Sequence, residues 1–225
     1  MPLPKPRLTC FDLDHTLLSG DSDVFWCDFL IRQGLLDAAT FATKNADMET
    51  RYQAGTVGLQ EFAHFYVGTL AGRTPAQWEP IRQLFLRECI VPKLPQAALD
   101  LVRQHQAAGD RVVLTTATNR FITELTAQHL GIAHLIATEP QLQGGFFTGQ
   151  TSGTLNMRHG KVLRLHEWLA ARHQKRSDFF MTAYSDSIND GPLLDWADQA
   201  VAVDPDKQLR ARAKILNWKI LKLKR

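Results

Sequence analysis

The chain has 225 residues, 44% of them hydrophobic, enough to bury one substantial core and carry a small second lobe. Its 26 basic and 23 acidic residues nearly cancel to a net charge of +3, so composition points to no nucleic acid partner. Three widely separated cysteines, Cys10, Cys27 and Cys89, lack the spacing of a zinc site or a disulfide framework, which fits a reducing, cytoplasmic setting.

Residues 1–7 hold three prolines and two basic residues but no apolar stretch long enough for a signal peptide, so secretion is not expected. No segment reaches the apolar length of a membrane span. Residues 8–13 form a short apolar run ending in acids, as expected for a buried parallel strand that delivers polar side chains to a crevice. From residue 24 to about 88 the patterns are helical, with Phe25, Phe29 and Leu30 in one face and Phe62, Phe65 and Tyr66 in another, and they predict an all-helical insertion. After Pro95 a helix through Leu99 and Val102 ends at Gly109, and a strand over residues 112–114 follows. A second helix over 122–130 stops at Gly131, followed by a strand at 135–137 and a Gly-rich ribbon over 143–153 that predicts a small β excursion. A helix over 161–172, a strand over 179–183 and a last strand over 200–203 complete the series. The sum predicts an α/β fold, a doubly wound, Rossmann-like parallel sheet with a helical block inserted early. Residues 214–225 mix apolar residues with lysines; a membrane-surface or nucleic-acid role competes with a docked terminal segment, and the lack of a clean basic face favours docking.

Three predicted strands end in polar residues able to gather at one sheet edge: Asp12 and Asp14, then Thr115 and Thr116, then Asp186 and Asp190. Facing carboxylates repel unless a cation lies between them, and hard oxygen donors suit a magnesium ion that keeps several waters. Whether Asp12 and Asp14 converge depends on the turn that follows, which the hydroxyl of Thr16 can stabilise.

These motifs resemble those of the haloacid dehalogenase superfamily of phosphatases. Phe11, Asp12, Leu13, Asp14, His15, Thr16 is similar to its apolar strand followed by Asp-x-Asp-x-Thr, and residues 112–116 to its strand ending in Ser or Thr. Lys161 matches its lysine on a later helix, and Asp186, Ser187, Ile188, Asn189, Asp190 its last acidic motif. The helical block lies where the phosphoserine-phosphatase-like branch inserts its cap, which implies a core of residues 1–20 and 92–225 and a cap of residues 21–91.

The resemblance implies that Asp12 is nucleophile and metal ligand and that Asp14 is the general acid and base, its backbone carbonyl reaching the metal. It implies Asp186 as a magnesium ligand with Asp190 supporting that site, and Thr116, Lys161 and Asn189 as phosphate-binding. Thr115 competes with Thr116, and Arg158 with Lys161. His15 and Ser185 stand where many relatives have small residues; His15 shapes the turn or touches substrate. The physics agrees, since a phosphoryl group spreads negative charge that a cation, an ammonium and hydroxyl donors stabilise. Asp21, with Asp23 as its neighbour, matches an acid that receives a substrate amine, and Arg51 is a candidate for a substrate carboxylate. The implied substrate is a small phosphorylated metabolite such as histidinol phosphate or phosphoserine. A phosphotransferase or phosphomutase of the same fold and a non-catalytic phosphate-binding module are the alternatives.

Overall fold

The computed structural model describes residues 5–223, so most of the Pro-rich start and the last two residues of the terminal segment lie outside it. One seven-stranded sheet runs in the order β4-β3-β2-β1-β5-β6-β7. The strands are β1 (Arg7–Phe11), β2 (Arg111–Asn119), β3 (His134–Gln143), β4 (Phe146–Ser152), β5 (Phe180–Ser185), β6 (Gln199–Val203) and β7 (Lys219–Leu221). All neighbours pair in parallel except β3 and β4, which form an antiparallel hairpin. This is the expected doubly wound α/β sheet. Its order reverses at β1, which has β2 on one side and β5 on the other, so the crevice for a ligand opens beyond the carboxyl end of β1.

Alternation along the central strands explains the two buried layers. Leu8 and Cys10 of β1 pack with Val113, Met181 and Ala183 on one face, while Phe11 packs with Val112, Leu114 and Tyr184 on the other. A strand buried on both sides reads as a continuous apolar run, which is why β1 and β2 stood out in the sequence.

Between β1 and β2 come α1 (Ser22–Arg32), α2 (Ala38–Gln53), α3 (Leu59–Gly68) and α4 (Pro75–Phe85), as the helical periodicity predicts. Asp21 starts α1 by accepting from the N–H groups of Asp23 and Val24, and Thr74 starts α4 with a reciprocal cap to Gln77. This block has its own core, in which Val24, Cys27, Phe62 and Tyr66 meet Leu155 and Met157. The later helices are α5 (Gln96–Ala107), α6 (Arg120–His129), α7 (His159–Ala170), α8 (Gly191–Trp196) and α9 (Lys207–Ile215).

Several boundaries differ from the sequence expectation. β1 stops at Phe11 because the carbonyl of Leu13 already accepts from the N–H groups of Thr16, Leu17 and Leu18, which is turn geometry. β2 runs on to Asn119 because its threonines are buried and β-branched, a combination that suits a strand better than a strand end. The Gly-rich ribbon becomes β4, joined to β3 through Gly144 and Gly145, both with positive φ as a tight hairpin turn requires. The terminal segment docks as an edge strand, β7 on β6, with Leu223 buried. Among the described residues no helix is long and apolar enough to cross a membrane.

Candidate active site

A cavity of about 240 Å³ opens at the carboxyl end of β1, lined by Asp12, Asp14, Lys161, Asp186 and Asp190 among others. The turn after β1 builds its floor. Asp12 continues the ladder by donating its N–H to the carbonyl of Tyr184, and His15 bonds its N–H to the carbonyl of Gly20. His15 holds φ of 55°, a left-handed conformation that a glycine adopts without strain, and it lines the cavity.

Thr16 ties the distant acids together. Its Oγ1 lies 2.9 Å from Asp12 Oδ2 and 3.1 Å from Asp186 Oδ1, and it accepts from the Asp186 N–H at 3.1 Å. One hydroxyl carries one proton, so it can donate to only one carboxylate at a time. The other oxygen of Asp12 faces Lys161, whose Nζ is 2.6 Å from Asp12 Oδ1 and 2.7 Å from Asp190 Oδ2. Burial pushes the Asp12 carboxyl up to about 7; Lys161 opposes the rise, and the charges of Asp190 and Asp14 add to it. Burial works against the Lys161 ammonium, yet Asp12 and Asp190 outweigh it and hold the proton on. One lysine is thus shared between two acids.

Asp190 also accepts from the hydroxyl of Ser185 at 2.8 Å, so the serine that replaces a small residue anchors the acid that holds Lys161. Asp206 braces the loop after β5: its N–H donates to the carbonyl of Asp186 and its Oδ2 accepts from the Ile188 N–H. Asp14 accepts from the Ser22 N–H at 2.7 Å and from the Thr118 hydroxyl at 2.9 Å. Thr116 Oγ1 lies 3.3 Å from the same carboxylate, whereas Thr115 turns away and accepts from Asn156 Nδ2 at 3.0 Å. Strand alternation therefore turns Thr116, not Thr115, towards Asp14, but Thr116 is fully buried and does not itself line the cavity.

Asp21 lines the cavity, and Asp23 Oδ2 behind it lies 3.0 Å from the same Thr118 hydroxyl, whose one proton serves Asp14 or Asp23 but not both at once. Burial, with the charges of Asp14 and Asp23, holds Asp21 well above the ordinary carboxylate range despite the N–H groups of Val24 and Asp23. Two further expected residues stand apart from the cavity. Arg51 is spread over Glu61, at 2.8 and 2.9 Å, and Asp47, at 3.2 Å, and is not among the cavity residues. Asn189 lies in the turn Ile188–Asp190, where its N–H donates to Ser187 Oγ, and it does not line the cavity either. Arg158 donates to the carbonyl of Gly55, which leaves Lys161 as the basic side chain on Asp12.

Among the described residues no three His, Cys, Asp or Glu side chains close on one point as a ready metal cage. Of the four expected ligands, Asp12 and Asp186 share the Thr16 hydroxyl, while the carboxylates of Asp14 and Asp190 are engaged by Thr118, Lys161 and Ser185. Two carboxylates with the remaining positions left to water and phosphate oxygens suit magnesium, which is seldom held in an all-protein cage. The donor set fits that ion.

Sequence reasoning missed Thr118, Tyr52, Phe62, Asp204 and Asp206, all of which line the cavity. Thr118 carried no signal, since the register of β2 shifts between Thr116 and Asn119 and alternation does not carry past Thr116. Tyr52 and Phe62 carried none either, because they meet only through the packing of α2 against α3.

The family model for haloacid dehalogenase-like hydrolases matches residues 9–195, a span that includes Asp12, Asp14, Lys161, Asp186 and Asp190. The chain belongs to the haloacid dehalogenase-like hydrolases. This hydrolase is 36% identical to a histidinol-phosphatase of Neisseria meningitidis serogroup C over 97% of its own length and 99% of that protein's. A solved structure from Bordetella pertussis Tohama I, described as of unknown function, is 41% identical, with a TM-score of 0.93 over 98% of this chain and 100% of that one. A phospho-aspartyl intermediate analogue of phosphoserine phosphatase shares the fold, with a TM-score of 0.71 at 16% identity, over 98% of this chain and 95% of that one. The hydrolase is therefore an enzyme, and its kinship is with phosphatases.

Proposed function

We propose that this hydrolase is a magnesium-dependent phosphatase of a small phosphomonoester metabolite, histidinol phosphate or phosphoserine, acting through an aspartyl-phosphate on Asp12. The observation that carries the reading is the clamp on Asp12, with Lys161 on one oxygen and the Thr16 hydroxyl, shared with Asp186, on the other. Asp12 attacks phosphorus, the P–O bond to the alcohol breaks, and Asp14 gives that oxygen its proton. Asp14 then takes a proton from water as the water attacks the acyl phosphate, which frees phosphate and restores Asp12.

Lys161 and the hydroxyl of Thr116 neutralise and orient the phosphoryl oxygens. Asp12, Asp186 and the Asp14 carbonyl would hold magnesium with Asp190 in support, and the ion supplies charge neutralisation at the phosphoryl group. Asn189 serves the phosphate through its turn. Residues 21–91 act as a cap over a core of residues 1–20 and 92–225, closing to exclude bulk water. The setting is cytoplasmic.

The test is release of inorganic phosphate from amine-bearing phosphate esters with magnesium present, for wild type and Asp12→Asn. Wild type should turn over at least one ester and Asp12→Asn none. Equal turnover by the two proteins would remove Asp12 from the role of nucleophile.

A further inference from the structure

Beyond the groups assigned to phosphoryl transfer, the cavity lining holds Asp21, Tyr52, Phe62, Asp204 and Asp206. These set the surroundings of the alcohol that leaves. Tyr52, from α2, is half-buried and stacked on Phe62, from α3, with ring centroids 4.3 Å apart and planes at 25°. Phe62 is buried and covers one face of the Tyr52 ring, which pins it as a flat surface.

The charge of the lining is one-sided. Against its aspartates stand Lys161, already held by Asp12 and Asp190, and His15. Behind the lining, Asp23 is buried, and its Oδ1 accepts no hydrogen bond among the described residues. Arg51, the cation that could have received a carboxylate, is tied to Glu61. Among the described residues no cationic side chain other than Lys161 and His15 lines the cavity, so a substrate carboxylate would meet mainly like charge, whereas an amine would find Asp21. A flat or cationic ring would find the Tyr52 surface.

We infer that the alcohol part of the substrate carries a cationic amine and a flat ring and no carboxylate, and that Tyr52 is the specificity-determining residue that receives the ring. The inference rests on the phosphatase reading above and narrows it to histidinol phosphate and esters like it.

The experiment measures kcat/KM of the full chain with magnesium on histidinol phosphate (amine and ring), phosphoethanolamine (amine alone), phosphoserine (amine and carboxylate) and para-nitrophenyl phosphate (ring alone). Histidinol phosphate should exceed phosphoethanolamine by about tenfold, the worth of one good ring contact. Phosphoserine should fall below phosphoethanolamine by a similar factor. In Tyr52→Leu the ratio of histidinol phosphate to phosphoethanolamine should collapse towards one, through KM, while Tyr52→Phe keeps it. Both rates come from one preparation, so any loss of folded protein cancels in the ratio. Phosphoserine turned over as well as phosphoethanolamine, or an unchanged ratio in Tyr52→Leu, overturns the inference and leaves the phosphatase reading standing. No phosphate from any of the four esters overturns that reading and the inference with it.

Discussion

Lys161 and Asp12 meet at 2.6 Å where their side chains are only 3% and 9% exposed. Removing one partner of such a pair leaves a buried charge without compensation, which costs about 3–5 kcal/mol. Lys161→Met should therefore lower the unfolding free energy by about that amount, read as a lower urea midpoint, and abolish activity. Adding Asp190→Asn to it should recover part of the stability, since one of the stranded acids is gone. A midpoint equal to that of wild type would mean that the buried pair contributes nothing.

Gly160 stands directly before Lys161 at the start of α7, and a Cβ there would lie 2.0 Å from the carbonyl oxygen of Leu155. Backbone cannot retreat as a side chain can, so Gly160→Ala should shift the first turn of α7 and displace Lys161. The expected loss is about 1–3 kcal/mol in stability, with turnover reduced more than the melting temperature suggests. Thermal melting and phosphate release on the same sample compare the two effects.

Arg51 bridges two helices of the insertion by an ion pair whose side chains are 34% and 46% exposed, on Arg51 and Glu61. Solvent screens such a pair, so Arg51→Ala should leave the stability close to that of wild type. Because the guanidinium is directed to Glu61 and Asp47, the ranking of phosphate esters should stay as in wild type. A selective loss of phosphoserine turnover in this variant would restore Arg51 as a substrate contact.

Asp110 supplies a pH prediction away from the cavity. It lies 2.6 Å from His105 Nδ1 and 2.9 Å from the Thr9 hydroxyl. Burial favours its protonated form, but the hydrogen bonds from His105 and Thr9 and the charges of His105 and Arg7 outweigh this and hold the carboxyl below its ordinary value of 3.8. The folded chain therefore binds fewer protons at this site than the unfolded chain in acid, so the stabilisation is present above that ordinary value and fades as the pH falls through the folded one. Urea midpoints of wild type and Asp110→Asn should differ at pH 6 and converge towards pH 3. A constant gap would show that the carboxylate's charge has no part in it.

The sequence by itself determined the architecture, because the cues are local. A run such as residues 8–11, apolar but for Thr9, marks a strand buried on both faces. The helical periodicity after Asp21 admits no strands, and the acids at the ends of β1 and β5 follow directly from where those strands stop. The order of these motifs was enough to point to the family and to Asp12, Asp14, Lys161 and Asp186.

Tertiary structure alone decided which polar groups face one another. Thr115 and Thr116 are adjacent in sequence and opposite in space, and the segments packed on the two sides of β2 give their hydroxyls different partners, Asn156 and Asp14. Arg51 reads as a possible anion receptor, and α3 brings Glu61 to it; Asp190 reads as part of the metal site, and packing sets Lys161 and Ser185 on its Oδ2. Tyr52 and Phe62 become one surface only when α2 and α3 pack. A local pattern sets which side of an element is buried; the partner across the gap is set by packing between segments far apart in the chain, and no short stretch of sequence encodes it.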